Sequence, residues 1–333
     1  MEVLFWIEQH LAPRSCDSTA FFYDEMESQS DFGLPLIYKP FDPAVRSHWC
    51  DRGQIFDFLY AVGGPNRTLL DFGPGDGWPS LLLAPFSREV VGVDGSLKRT
   101  AVCAENARRI GIHNARFEYV PPGCRLPFPD NLFDGVTAAS SVEQSPDPLA
   151  SLRELYRVLK PGGRLRITYE SLCAYQGGRE REAVLSPAGV EACWLTLYFR
   201  SIEREQARMA KLKLGMPLEE AARLLGAQEN NVPWDALTRP LLEQLAGFVL
   251  EARTCTLSHP SCAALTHWLG EIGFCQVTPT HNGGDAAGRL FDALPPERRP
   301  RSLPGVDELL QPLAAVVVNL AAPIKPRQGC EPW

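Results

Sequence analysis

Three glycines with single-residue spacing follow directly on a short apolar run. The run is Leu69–Phe72, with an acid at Asp71, and the glycines are Gly73, Gly75 and Gly77. Glycine has no Cβ, so a turn built from it lets the backbone come close to a ligand. A strand that ends in such a turn is a candidate binding site for a small polar molecule lying against the main chain.

Two nucleoside cofactors compete for this turn. NAD requires the pattern G-x-G-x-x-G/A, whereas Trp78 stands three residues after Gly75 and the small residue, Gly77, comes one place early. A pyrophosphate gains nothing from Asp71, while S-adenosylmethionine (SAM) carries an ammonium group and a cationic sulfur that a nearby carboxylate favours. The turn by itself leaves SAM, NAD and an ordinary glycine-rich turn open.

An acid at the end of the next apolar run supports a nucleoside. Asp94 closes the run Glu89–Val93, 21 residues after Gly73. A carboxylate at that distance stands at the tip of the neighbouring strand and can accept both ribose hydroxyls, which fits SAM and NAD equally. The alternative for Asp94 is a helix N-cap, but Ser96 can fill that position.

Three further segments follow in order at close spacing, and they narrow the choice. They are Leu126–Val136 (LPFPDNLFDGV), Glu143–Pro148 (EQSPDP) and Glu154–Gly163 (ELYRVLKPGG). Together with the glycine turn and Asp94, they closely resemble the class I SAM-dependent methyltransferases of the ubiquinone/menaquinone-biosynthesis type, the type 11 methyltransferase domain. The resemblance covers residues 67–170 well and 257–322 weakly.

The resemblance implies a role in cofactor binding for each matching residue. The methionine part of SAM would lie against Gly73, Pro74 and Gly75, with Asp71 oriented toward its amino end and Ser140 facing it. The adenosine part would be bound by Asp94, Gly95 and Ser96 after the second strand, and by Gly123, Cys124 and Arg125 after the third. Tyr23 resembles an N-terminal tyrosine that closes over SAM, or it anchors the first helices.

The chain departs from the family pattern at two positions. Pro122 replaces an acid that often precedes the third loop, so adenine recognition must rely on backbone and packing. Gln144, after Glu143, replaces a histidine, so a histidine base is absent there.

Methyl transfer from SAM mainly requires that the acceptor be aligned with the S–CH₃ bond and that water be excluded. An oxygen or carbon acceptor also benefits from a base. The candidates near the expected strand tips are Glu143, Tyr169 and Glu170, and two more, His259 and His267, lie in or near the returning helix. A structural role is the alternative for each. A metal-dependent mechanism needs clustered carboxylates, which Ala139–Val142 does not supply, so no metal is expected.

The elements that would position these residues alternate between strands and helices. A Rossmann-like α/β sheet of seven strands with helices on both faces is predicted. Its strands are expected over 67–72, 89–93, 116–120, 133–139, 164–169, 274–280 and 315–320, with helices over 96–111, 147–160 and 260–271. Segment 282–312 is expected to be loop with one short helix at most.

Two helical additions are predicted around this sheet domain, which would comprise residues 66–170 and 256–325. The first is an N-terminal segment, 1–65, and the second is an insertion, 171–255, in which Pro217 and Gly226 bound one helix. Because ligands bind beyond the carboxyl ends of parallel strands, we interpret the insertion as a cap over the acceptor pocket. The alternative is that the insertion is a structural appendage or a dimerisation surface. In the second case the chain would form a homodimer.

Aromatic residues in the insertion suggest an apolar or aromatic acceptor, although packing in a plain helical core is the more common use of most such residues. They are Trp194, Tyr198, Phe199, Trp234 and Phe248.

Composition excludes several other classes. The 333 residues carry a net charge of −7 without a basic cluster, which argues against nucleic acid as a partner. No apolar run reaches the length of a membrane span and the N-terminus lacks a signal-peptide pattern. Ten cysteines without a C-x-x-C pair predict free thiols in the cytoplasm.

Three hypotheses follow. The first is an enzyme that methylates a small-molecule acceptor and releases S-adenosylhomocysteine. The second is a non-catalytic SAM-binding protein whose helical additions bind a partner. The third, a nicotinamide oxidoreductase, is disfavoured by Trp78.

Overall fold

The computed structural model describes two compact units, each built around its own sheet. The described residues are 3–18, 20–21, 42–169, 179–201, 203–277 and 283–299. The parallel-sheet unit takes its described residues from 30–142, 149–169 and 263–333, and the antiparallel-sheet unit from 1–29, 143–148 and 170–262.

The helices and strands are numbered along the chain. The helices are α1 (Val3–His10), α2 (Arg46–Ala61), α3 (Ser80–Leu83), α4 (Leu97–Arg109), α5 (Pro148–Val158), α6 (Leu218–Leu225), α7 (Arg239–Ala246), α8 (Cys262–Ile272) and α9 (Gly283–Ala293). The strands are β1 (Arg14–Ser15), β2 (Thr68–Phe72), β3 (Glu89–Asp94), β4 (Ala115–Tyr119), β5 (Phe133–Ala139), β6 (Leu159–Thr168), β7 (Arg181–Pro187), β8 (Cys193–Ser201), β9 (Gln206–Leu214) and β10 (Val249–Ser258).

The parallel sheet has the strand order β4-β3-β2-β5-β6, and all its neighbours run parallel. Its strands carry apolar residues on both faces. Leu70 and Val91 pack with α5 and α8, whereas Leu69 and Val90 pack with α2 and α3. Helices cover both faces of the sheet, which confirms the predicted α/β fold. A strand covered on both faces has a continuous apolar sequence, as these strands do.

Local signals account for the helices that follow β3 and β5. The Ser96 hydroxyl accepts a hydrogen bond from the Arg99 N–H at 3.1 Å and so caps α4, as predicted. Pro148 opens α5, where its missing N–H costs no helical hydrogen bond. Leu152 and Leu155 on α5 are completely buried against the sheet.

The predicted sixth strand is not formed where the structure describes it. Residues 274–277 follow α8 with only an isolated bridge at Cys275, and Phe274 packs edge-on against Tyr156 instead. Residues 278–280 and the predicted strand 315–320 lie outside the described residues. Within those described, the parallel sheet therefore has five strands. Segment 283–293, predicted mostly as loop, is the helix α9, which packs closely on α2 at Gly53 and Gly283.

The prediction that the insertion is helical was wrong, because strands β7 to β10 form an antiparallel sheet there. In β8, Leu195 and Leu197 face one side and Trp194 the other, and all three are buried. A strand buried on both faces also matches the spacing of a buried helix, so periodicity did not separate the two. Helix α6 ends at Gly226 in a left-handed conformation, as predicted.

Helices cover one face of the antiparallel sheet. Ile7 of α1, Leu225 of α6 and Leu245 of α7 join the strand residues in one core. Strand β1 pairs in parallel with β10 at the sheet edge. The predicted N-terminal segment 1–65 is therefore not one unit, since α1 and β1 join this sheet and α2 joins the other. The described helices include none with the length and apolarity that crossing a membrane requires.

Candidate cofactor site

The glycine turn after β2 needs glycine for two separate reasons. Gly73, Gly75 and Gly77 all have positive φ, at 74°, 59° and 115°, where other residues are strained. A Cβ on Gly73 would lie 2.5 Å from the Cβ of Ser141, so the turn is packed against the loop after β5. Among the residues that the structure describes, none beyond the chain neighbours comes within 4 Å of a Cβ built on Gly75. In this part of the chain, the side of the turn at Gly75 is thus open to a ligand.

Asp71 lies beneath this turn and is completely buried. Its Oδ2 accepts hydrogen bonds from the backbone and hydroxyl of Ser80, and its Oδ1 accepts one from Thr137 Oγ1 at 2.9 Å. Burial raises the pKa of Asp71 to about 7, against the opposing effect of these hydrogen bonds. The carboxyl group therefore joins the start of α3 to β5. It does not face the open side of the turn, where the resemblance would place a contact with the amino end of SAM.

Asp94 links the turn to the next helix. Its Oδ2 accepts from the Gly75 N–H at 3.2 Å and its Oδ1 from the Ser96 N–H at 2.9 Å. Only 6% of the residue is exposed. The two strand tips that the sequence singles out are therefore in direct contact.

Helix α4 holds the turn through two hydrogen bonds that sequence reasoning missed. Cys103 Sγ donates to the Gly75 carbonyl oxygen at 3.2 Å, and Asn106 Nδ2 donates to the Asp76 carbonyl oxygen at 2.8 Å. Both side chains are buried, and burial raises the pKa of the Cys103 thiol. The sequence signal for these contacts was the spacing of Cys103 and Asn106, a small and a polar residue one helical turn apart on the helix that contacts the glycine turn.

The loop after β4 is tied to α5 by an ion pair. Glu154 accepts from the Leu126 N–H at 3.0 Å, while Arg157 donates to the carbonyl oxygens of Leu126 at 3.0 Å and Phe128 at 2.7 Å. Arg157 and Glu154 also pair at 2.7 Å, and this hydrogen bond holds the pKa of Glu154 below its usual range. The two motifs that contain these residues therefore meet in space.

This anchoring leaves the preceding residues Gly123, Cys124 and Arg125 exposed on the loop. Ser140 is exposed at the carboxyl end of β5, with a φ of 51°, and Ser141 Oγ donates to the Phe72 carbonyl oxygen at 2.6 Å. The carboxyl ends of β2, β3 and β5 thus form one edge.

The base candidates lie on different elements of the described structure. Glu143 is buried in the short 3₁₀ turn Val142–Gln144, and Tyr169 packs partly buried against the parallel-sheet core. His267 lies on the outer face of α8, with 71% of its side chain exposed and its Nε2 3.3 Å from Glu271. This placement on the solvent face removes the reason for choosing His267. Tyr23 lies outside the described residues.

Residues 70–167 match the family model described as "Methyltransferase domain". The chain is 35% identical over 98 residues to the uncharacterized methyltransferase YcgJ of Bacillus subtilis, covering 29% of this chain and 38% of that protein. It is 34% identical over 157 residues to the ubiquinone/menaquinone biosynthesis C-methyltransferase UbiE of Escherichia coli, covering 45% and 55%. The matches thus span only about half or less of these relatives' lengths.

Among solved structures, the chain is similar to the CcbJ methyltransferase from Streptomyces caelestis. The identity is 14% and the TM-score 0.45, over 68% of this chain and 84% of that one. The family resemblance inferred from the motifs is confirmed for the segment 70–167, which matches the methyltransferase domain model and is similar in sequence to YcgJ and UbiE.

Proposed function

We propose that this protein transfers the methyl group of SAM to a small-molecule acceptor and releases S-adenosylhomocysteine. The observation that carries the proposal is the contact between Gly75 and Asp94. It joins an open-sided glycine turn to an acid at the neighbouring strand tip, inside the segment that matches the methyltransferase domain.

In this proposal the open side of Gly75, together with Gly73 and Pro74, receives the methionine part of SAM. Asp94 binds the ribose, with Gly95 and Ser96 beside the adenosine. A carboxylate offers about four lone-pair positions, so hydrogen bonds from backbone N–H groups and from ribose hydroxyls are compatible. The bound cofactor supplies an activated methyl group, and the chain's residues orient it.

Adenine recognition falls to the exposed loop residues Gly123, Cys124 and Arg125. The clamp by Glu154 and Arg157 supports this role because it fixes the residues that follow. Tyr23 stays a prediction as a residue that closes over the cofactor.

Asp71 has a different role from the one that the resemblance implies. Because both its oxygens accept hydrogen bonds within the protein, we infer that it positions the turn and does not contact SAM directly. Ser140, exposed at the end of β5, remains a candidate for contact with the methionine part.

A base is not essential if the acceptor is a thiol or an amine. For an oxygen or carbon acceptor, Glu143 and Tyr169 remain the candidates. The insertion, predicted as a helical cap, contains an antiparallel sheet, and its role in selecting the acceptor stays a proposal.

The test is turnover by the purified full chain. SAM is incubated with fractionated metabolite extract, and S-adenosylhomocysteine is measured by mass spectrometry with and without the extract. Extract-dependent formation of S-adenosylhomocysteine is the expected result. Thermal-shift assays with SAM and NAD run alongside, and stabilisation by NAD alone would overturn the proposal. Binding of SAM without turnover in any fraction would favour the non-catalytic SAM-binding alternative.

A further inference from the structure

The antiparallel-sheet unit contains a cavity of about 640 Å³, and none of its described lining residues is among those assigned above to SAM. Its size falls in the range typical of small-molecule sites. The lining comes from β7, β8, β9, the turn between β8 and β9, α1 and the 3₁₀ turn Trp234–Ala236. The whole cavity therefore belongs to one compact unit.

One wall is a row of three side chains across neighbouring strands. Arg181 of β7 lies opposite Phe199 of β8, which lies opposite Arg208 of β9. Residues directly opposite one another in a sheet point to the same face. The guanidinium of Arg181 lies 5.5 Å from the centre of the Phe199 ring, within cation–π distance. This row places a flat apolar surface between two positive groups.

The charge of the lining is opposite to that of the chain. Among the described lining residues, three arginines outnumber one acid, while the whole protein carries a net charge of −7; the residues are Arg181, Arg204, Arg208 and Glu203. Arg208 pairs with Glu8 at 2.5 Å. In the part of the chain that the structure describes, neither Arg181 nor Arg204 forms an ion pair.

Arginine and aromatic side chains together define the chemistry of a ligand. A guanidinium presents parallel N–H groups that match the two oxygens of a carboxylate. Trp234 and Phe199 add two aromatic rings to the same lining, and aromatic rings pack well against other flat rings. A ligand that satisfies both features carries a carboxylate on a planar apolar body.

We propose that this cavity binds an aromatic carboxylate, held by Arg181 and Arg204 and packed against Phe199 and Trp234. The described lining residues lie in the antiparallel-sheet unit and the glycine turn lies in the parallel-sheet unit, so this proposal does not rest on the proposed methyl transfer.

The experiment titrates the full chain with 2-naphthoate by isothermal calorimetry. Its neutral counterpart 2-naphthamide and inorganic phosphate serve as comparison probes. We expect saturable binding of 2-naphthoate and much weaker binding of the other two. Since a hydrogen bond to a charged group is worth a substantial part of a small ligand's affinity, Arg181→Gln and Arg204→Gln should each weaken binding by about tenfold or more. Trp234→Ala should weaken it several-fold.

Arg239→Gln is the matched control. Arg239 is an exposed arginine of the same unit, paired with Glu243 on α7 and outside the cavity lining. This variant should bind 2-naphthoate like the wild type. The affinity for SAM is measured in every variant and should not change, so failure here is separable from failure of the methyl-transfer proposal. Absence of saturable 2-naphthoate binding, equal binding of the amide or phosphate, or full affinity in the arginine variants would overturn the proposal.

Discussion

Asn106 donates a hydrogen bond from its side-chain amide to the carbonyl oxygen of Asp76 across 2.8 Å. The donor lies on α4, and its acceptor lies in the middle of the glycine turn. Asn106 is 1% exposed, so its side-chain amide is shielded from water. The conformation of the turn therefore depends on a side chain that does not belong to the glycine motif.

Replacing Asn106 should weaken SAM binding without touching the open side of the turn. Asn106→Leu keeps most of the volume but leaves the Asp76 carbonyl oxygen without the donor from Asn106, at a cost of about 1–3 kcal/mol. We expect SAM affinity to fall by about tenfold, measured by calorimetry, because part of that cost appears as a loosened turn.

Asn114 provides the matched control for Asn106. It donates to the carbonyl oxygens of Ala84 and Ser87, which lie in a different loop of the same unit. Asn114→Leu should lower the melting temperature but leave the SAM affinity unchanged. Equal losses of SAM affinity in the two variants would show that the effect of Asn106 is only a general loss of stability.

Gly75 should be sensitive to a single methyl group. A Cβ there points into open space on the side that we assign to SAM, so Gly75→Ala should lower SAM affinity at least tenfold. Gly111 also has a positive φ, 73°, and open space around its Cβ, but it lies at the end of α4. Gly111→Ala carries the same kind of backbone strain, of about 1 kcal/mol. A normal SAM affinity in Gly75→Ala would contradict the proposed site.

The parallel sheet could be predicted because both its signals were local. Apolar runs such as Leu69–Phe72 and caps such as Ser96 depend on residues close in the sequence. The antiparallel sheet could not, because Trp194 and Leu197 satisfy the helical period while Leu195 and Leu197 satisfy the strand period. Pairing with the flanking strands β7 and β9, neither of which was predicted, decided the outcome.

The candidate cofactor site likewise has features that the local sequence predicts and features that depend on other elements. The glycine turn and Asp94 could be placed because each lies at the end of a predicted strand. Their contact could be predicted because those strands are parallel neighbours. The burial of Asp71 did not follow, since it depends on Ser80 and Thr137 from two other elements. Likewise, the exposure of His267 could not be predicted, because the residue type alone does not show which face of its helix it occupies.

Arg157 should control the order of the loop after β4. Its guanidinium satisfies two loop carbonyl oxygens and pairs with Glu154, and only 15% of the side chain is exposed. Arg157→Met removes every one of these hydrogen bonds while keeping an apolar stem. We expect faster proteolysis within residues 121–131 and a several-fold loss of SAM affinity, because the loop then contacts adenine less often.

Arg153 lies exposed on the same helix and is a suitable control for Arg157. Arg153→Met should leave both the proteolysis pattern and SAM binding unchanged. Arg157→Lys should restore the wild-type behaviour only in part, since an ammonium group cannot reproduce the planar set of donors. Wild-type proteolysis in Arg157→Met would argue against the clamp.

Asp71 should make the stability of the protein depend on pH. Burial raises its pKa from the ordinary 3.8 to about 7, with Ser80 and Thr137 opposing the shift. Between these values the folded chain holds a proton that the unfolded chain releases. The free energy of unfolding therefore falls as the pH rises through this window. The contribution is fully present below the ordinary pKa of 3.8 and lost as the pH passes about 7.

Asp71→Asn should remove this dependence. The amide cannot ionise, and its oxygen can still accept from the Ser80 N–H. We expect the free energy of unfolding of the wild type, relative to the variant, to fall by at most about 3 kcal/mol from about pH 5 to about pH 7. Urea denaturation at several pH values measures the difference.

Asp134 offers a carboxyl group with the opposite shift as a control. Burial alone would raise its pKa, but hydrogen bonds from Lys160 and the Thr68 N–H lower it below the usual range. Its contribution to stability is present above the ordinary pKa of 3.8 and is lost only as the pH falls further. Asp134→Asn should therefore give a curve parallel to that of the wild type from about pH 5 upward. If Asp71→Asn also runs parallel to the wild type there, the buried carboxyl group of Asp71 does not hold a proton near neutral pH.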